Sequence, residues 1–238
     1  MRNTRPILKR ELSGYFNSPI AYIFITVFLG LSSWLFFKGF FVIGEASMRP
    51  FFGLLPWIFL FFIPAVTMRL WAEEKKVGTM ELLMTLPVTD AEAVMGKFLA
   101  SFAFLILTLL LSLIIPIMVA VLGDPDPGQI VGGYVGAALL GAAFLAIGLF
   151  ISSLTQNQIV AFIVSVVVIF GLFILGEDFV LFGIPEWLVP VFSFVGLGRH
   201  FESISRGVLD SRDIIYYLSV VVFFLYLNIK SVESRKWL

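Results

Sequence analysis

Between Phe98 and Gly123, and again between Gly128 and Gly176, not one charged side chain occurs. Few folds accept such stretches. A soluble domain carries roughly 25% charged residues. This chain has 238 residues, of which 60% are hydrophobic and 13% charged, too much apolar surface to hide in one water-soluble core. A bilayer accepts it. A helix needs about 20 apolar residues to cross the hydrocarbon, and six segments qualify: 20–43, 51–70, 91–122, 129–154, 159–181 and 213–231. All six are expected as helices, because the bilayer core holds no water to satisfy an open backbone. A barrel would need short alternating strands, whereas these runs are continuous. The expected fold class is therefore an all-α polytopic membrane protein.

Composition removes several functions. Cys is absent and His occurs once, which excludes disulfides, thiolate metal sites and a multi-histidine metal site. The net charge is zero, so nucleic acid is not implied as a partner. The run from Ile20 exceeds a signal-peptide core, and no small-x-small cleavage site follows it, so it reads as a retained span.

Orientation follows the lysines and arginines. With the N-terminus inside, the inner side holds Arg2, Arg5, Lys9, Arg10, Arg69, Lys75, Lys76, Lys97, Lys230, Arg235 and Lys236, against Lys38, Arg49, Arg199, Arg206 and Arg212 outside. Both termini are expected in the cytoplasm. Ahead of the first span, Ile7, Leu8, Leu12, Tyr15 and Phe16 share one helical face, Pro6 suits the first turn and Asn17-Ser18-Pro19 ends the pattern. This reads as an amphipathic helix lying in the inner interface. Before the last span, Leu188–Leu197 is too short to cross and is broken by Pro190 and Gly196. It is expected as a re-entrant helical hairpin in the outer leaflet, with a second short helix near residues 200–207 and Asp210 or Ser211 capping the last span. The chain thus divides into an interfacial helix (1–18), spans 1–5 (20–181), an outer re-entrant segment (182–212), and span 6 with its tail (213–238), all within one transmembrane domain, 1–238.

Residues 67–97 form a polar island between the second and third spans. Arg69 marks the inner end of the second span, and Glu73-Glu74-Lys75-Lys76 reads as a solvated charged face. Gly78 then breaks the chain. Thr79 can cap a short helix with Glu81 in its first turn and Met80, Leu83 and Met84 on one face, which Pro87 ends. Thr89-Asp90-Ala91-Glu92 is a capping box that starts the third span, with Lys97 close to the inner headgroups. Periodicity alone does not separate a docking helix from one that merely lies in the interface.

The run Arg69-x3-Glu73-Glu74-x3-Gly78-Thr79-x-Glu81-Leu82-Leu83-x-Thr85-x-Pro87-Val88, followed by Gly96-Lys97, resembles the cytoplasmic signature of type-2 ABC transporter permeases. The amphipathic leader, the six spans and the broken outer segment resemble that family's layout, as does LFISSLTQNQIVA at 149–161. FESISRGVLDSRDIIYY at 201–217 is most similar to the gliding-motility branch. The resemblance implies a cytoplasmic coupling helix between spans 2 and 3, docked on a separate ATPase through Glu74, Gly78, Thr79, Met80, Glu81, Leu82, Leu83, Met84, Thr85 and Pro87. It also implies a second permease copy or paralogue, and accessory periplasmic or membrane-anchored subunits near Trp187, Arg199, His200 and Arg206. The expected place is the prokaryotic plasma (inner) membrane.

No GxxxxGK[ST] loop occurs in the chain, and no HExxH, GxSxG or Ser-His-Asp set stands out. ATP and Mg are therefore expected in the partner ATPase, with no cofactor here and no catalytic residue. The lone His200 reads as structural or interfacial. The uncharged spans argue against an ion-driven carrier, which places ionisable groups near the midplane. An alternative is the same motor arrangement driving an outer partner mechanically, with nothing transported. In the fourth span, Gly132-x3-Gly136 and Ala137-x3-Gly141 are close-packing patterns. They read as packing within one subunit, or else as a contact with a second copy. Spans one and five are the alternative dimer seam that the resemblance implies.

The cysteine-free chain makes orientation directly testable. A cysteine replacing Glu186 should react with an impermeant maleimide in intact cells, and one replacing Lys76 only after permeabilisation. The opposite labelling would reverse the topology.

Overall fold

A computed structural model describes residues 4–80, 88–208 and 210–234. Among these the chain is helical, with no strand: α1 (Thr4–Phe16), α2 (Pro19–Ile43), α3 (Arg49–Val77), α4 (Asp90–Leu111), α5 (Ile114–Leu122), α6 (Pro127–Leu154), α7 (Gln158–Ile174), α8 (Asp178–Leu181), α9 (Val189–Val195), α10 (Leu197–Ser205) and α11 (Ser211–Glu233). Five stretches are long and apolar enough to cross a membrane: α2, α3, α4 continued by α5, α6 and α11. The fifth expected span, 159–181, is shorter than anticipated. Its helix α7 ends at Ile174 after 17 residues, or about 25 Å of rise. Beyond it, Gly176 lies so close to Gly196 that a Cβ on Gly196 would stand 2.3 Å from the Gly176 nitrogen. That backbone crossing turns the chain away, and α8 begins separately.

Several helix starts follow local chemistry. Ser18 accepts from the Ile20 amide ahead of Pro19, Asn157 from Ile159 and Val160, and Asp210 from Arg212. The Thr89 side chain takes the Glu92 amide while Glu92 takes the Thr89 amide, a complete capping box. The third span is one apolar run in sequence but two helices in space. Pro116 has no N–H to return to Ser112, so α4 ends and α5 restarts. Ser112 Oγ is satisfied at the break, donating to the Leu109 carbonyl at 2.7 Å and lying 3.0 Å from the Tyr134 hydroxyl.

Helix α6 is the centre of the bundle and packs against α3, α4, α7, α10 and α11. Its small residues make this possible. A Cβ on Gly133 would stand 2.3 Å from the Phe52 ring, one on Gly141 2.3 Å from Leu105, and one on Gly148 2.3 Å from Thr67 Oγ1. Gly132 carries α10, with Ile204 O 2.8 Å and Gly207 Cα 2.9 Å from the same imaginary atom. The Gly132-x3-Gly136 and Ala137-x3-Gly141 patterns are thus used inside this chain. By contrast α2 and α7 leave broad apolar faces exposed, among them Ile23, Val27 and Trp34 on α2 and Ile163 and Val167 on α7.

Gly133→Ala should destabilise the bundle by about 1–3 kcal/mol, the usual overpacking cost. Gly53→Ala, with nothing within 4 Å of the new atom, should be close to neutral. Thermal melting of the detergent-solubilised protein, followed by size exclusion, checks both.

Candidate coupling surface

The polar island is built onto three helices. α1 lies along the first turns of α4, and Gly96 sets how closely: a Cβ there would be 2.7 Å from Ile7 Cγ2 and 3.4 Å from Thr4 O. Ile7 and Tyr15 are buried, while Lys9 and Arg10 are exposed. Tyr15 stacks on Phe104 at 5.1 Å, its hydroxyl lies 3.2 Å from Ser101 Oγ, and the Arg69 guanidinium sits over its ring at 5.1 Å. The amphipathic face of α1 therefore packs on protein as well as pointing away from it.

This docking closes a charge cluster. Lys97 Nζ, with the side chain only 1% exposed, donates to Glu74 Oε1 at 2.8 Å and Glu11 Oε1 at 3.1 Å. Arg10 Nη2 reaches the same two oxygens at 2.9 and 2.7 Å. Lys97 also lies over the Trp71 ring at 4.9 Å, a cation–π contact that partly replaces lost hydration. Two acids and two bases make a neutral set. Burial by itself raises the Glu11 carboxyl, but the Lys97 ammonium and then Arg10 more than offset it and hold it below the usual carboxylate range. Glu74 Oε2 is buried and has no hydrogen-bond partner. Beside the cluster opens a cleft of about 350 Å³, lined among others by Gly14, Arg69, Glu73, Val77 and Thr79.

Several expectations change here. Lys97, expected close to the inner headgroups, has its side chain buried within the protein, because α1 folds over it. Glu74 is not part of a solvated face; only Glu73 and Lys76 of that tetrad are exposed, and Lys75 donates to the Ser153 carbonyl. The helix of the second span does not end at Arg69, since a charged residue on a helix surface does not stop the helix. α3 runs on to Val77 and terminates where Gly78 takes φ +77°. Thr79 and Met80 are helical again, Thr79 exposed and Met80 buried. Met80 is thus withdrawn from the docking face expected of it. Glu81, Leu82, Leu83, Met84, Thr85 and Pro87 lie outside the described residues.

Sequence reasoning missed the tie between α3 and α6. Ser152 Oγ accepts from the Trp71 and Ala72 amides, both at 3.2 Å, and donates to Met68 O at 3.0 Å. It therefore stands between Met68 C=O and Ala72 N–H, the pair a regular helix joins. Ser153 Oγ lies 2.9 Å from Ser231 Oγ of α11. A Ser-Ser doublet in an otherwise apolar helix was the available signal.

At the far end, the outer-partner candidates separate. Trp187 is 76% exposed and the Arg199 and Arg206 side chains are exposed, but His200 is buried and does not face an outer partner. Its Nδ1 is 2.6 Å from Asp213 Oδ1, its Nε2 2.9 Å from Phe194 O, and its ring stacks on Tyr216 at 3.9 Å. Both ring nitrogens face oxygens, so each is held by a partner. Tyr217 adds a bond to Leu197 O at 2.7 Å. His200 thereby fastens α9 and α10 to the start of α11.

Lys97→Met leaves two half-buried carboxylates without their buried cation and should cost about 3 kcal/mol. Because the folded Glu11 carboxyl lies below its unfolded value, its contribution is present at neutral pH and is lost as pH falls through the lowered value. The Glu11→Gln variant should accordingly show a flatter acid limb of melting temperature against pH. An unchanged slope would remove Glu11 from the linkage.

No curated protein matches the chain. A family model described as "ABC-2 family transporter protein" matches residues 41–193, more than half of the 238 residues. The match spans α3 through α8, including the Gly78 break, the capped start of α4 and the Ser152-Ser153 tie. With five membrane-length apolar helices among the described residues, the chain is a multi-pass membrane protein that belongs to the ABC-2 transporter family.

Proposed function

We propose that this chain is the permease subunit of an ATP-driven exporter in a prokaryotic plasma membrane. It pairs with an identical or paralogous copy, and separate ATPases that carry ATP and Mg dock on segment 78–87. ATP binding draws the ATPases together and tilts the permeases; hydrolysis resets them. The chain itself performs no bond chemistry. Both termini lie in the cytoplasm, and Trp187, Arg199 and Arg206 face an accessory subunit. The resemblance at 201–217 supports the gliding-motility branch as the nearest within the family.

One observation carries the reading. The buried Lys97, with the half-buried Glu74 and Glu11, joins α1, α3 and α4 into one body, and the proposed docking segment lies between α3 and α4 in the sequence. A force reaching the end of α3 or the start of α4 arrives at this joined base. It enters two spans and the leader helix together, and Ser152 passes it to α6.

Expression of the tagged chain with its ATPase should yield a complex with ATPase activity. Leu83→Asp should weaken association about thirtyfold, as for an interface hot spot, while the permease keeps its melting temperature. An ATPase still bound and active on that variant would overturn the docking assignment.

A further inference from the structure

About five turns back along α3 from the charge cluster, two cavities meet. The first, of about 340 Å³, is largely apolar: Pro56 and Trp57 of α3 face Phe173 and Ile174 of α7, with Phe179 and Phe201 completing the wall. Trp57 lies edge-on to Phe173 at 5.6 Å and is still 50% exposed; Phe179 is 67% exposed. The second, of about 450 Å³, is polar, with Asp178, Arg199 and Arg206 in its wall. Glu177 and Glu202 line both.

The charges at this joint do not balance. Arg206 is engaged by Glu202, and Arg199 approaches Asp178 at 3.7 Å. The Glu177 side chain makes no hydrogen bond or ion pair among the described residues. Gly198 leaves it room, since a Cβ there would stand 2.8 Å from Glu177 Oε1. Burial, and then the Glu202 and Asp178 carboxylates, push the Glu177 carboxyl up, while Arg199 pulls it back less. A cation would relieve that excess, and an anion would worsen it. A neutral apolar molecule would fill the slot and leave the carboxylate unanswered. Exposed aromatic rings beside a carboxylate also favour an ammonium over a strongly hydrated ion.

We propose that this joint binds an amphiphilic cation, its apolar chain along the Trp57–Phe173 slot and its ammonium against Glu177. The site stands apart from the ATPase-docking reading and does not depend on it. The test uses the full chain in phosphatidylcholine nanodiscs at neutral pH. Quenching of Trp57, taken as the difference from Trp57→Phe, is measured with 12-bromododecylamine, 12-bromododecanol and 12-bromododecanoate. The amine should half-quench at a mole fraction about fivefold below the alcohol, the gain of one partly exposed ion pair, and the carboxylate should be weakest. Glu177→Gln should erase the amine's advantage while the alcohol quenches as before, and Glu177→Asp should keep it. Equal quenching by amine and alcohol would overturn the proposal. So would an advantage that survives Glu177→Gln, or one lost equally in Glu177→Asp.

Discussion

In a bilayer, apolar side chains gain nothing by leaving lipid for one another, so helices hold together only where their backbones come close enough for many van der Waals contacts. Helix α6 meets that constraint for the whole bundle. Its glycines admit several neighbours: Phe52 and Thr67 of α3, Leu105 of α4, and the end of α10. The other elements are arranged by what α6 accepts. The polar ties stand at its two ends, with Gln129 Oε1 taking the Met48 amide at 3.1 Å at one and Ser152 and Ser153 at the other. Packing is close along its length, at Gly133, Gly141 and Gly148 alike, and direction is fixed at the ends.

The two ends are built differently. One end gathers α1, the tail of α3 and the start of α4 around a neutral ion-pair set, with an open cleft beside it. The other is stapled by His200, Tyr216 and Tyr217, which fix the short helices to α11 without any long-range charge network. A segment that receives force benefits from a rigid root. The short helices instead need an attachment that survives motion of the spans, and a single residue cluster on one helix supplies it.

Much of this was legible from residues close together in the chain. Continuous apolar runs marked the spans, and Ser18, Thr89, Glu92, Asn157 and Asp210 mark helix starts through contacts two or three residues long. What escaped depends on distant partners. Lys97 meets Glu11 across 86 residues, and nothing near Lys97 in sequence announces that a leader helix will cover it. The short α7 is decided by a Gly176–Gly196 backbone approach, again nonlocal. Arg69 misled for the opposite reason: a charge marks where the membrane ends, not where the helix does. The family match, at 41–193, includes neither α1 nor α11, yet each supplies one side of a tie that the matched region needs.

The uncharged middle of the bundle has an electrical consequence. Moving one elementary charge through the membrane field is worth about 2.3 kcal/mol per 100 mV. Helices α6 and α7 carry no ionised group from Gly128 to Gly176, nor does the third span from Phe98 to Gly123. Among the described residues, the cluster at one end of the bundle pairs two acids with two bases, and at the other end the buried Asp213 faces His200. If these helices slide or tilt against one another, almost no charge crosses the field. The balance between their arrangements is then set by packing and by partners, and a cell could lose its membrane potential without shifting it.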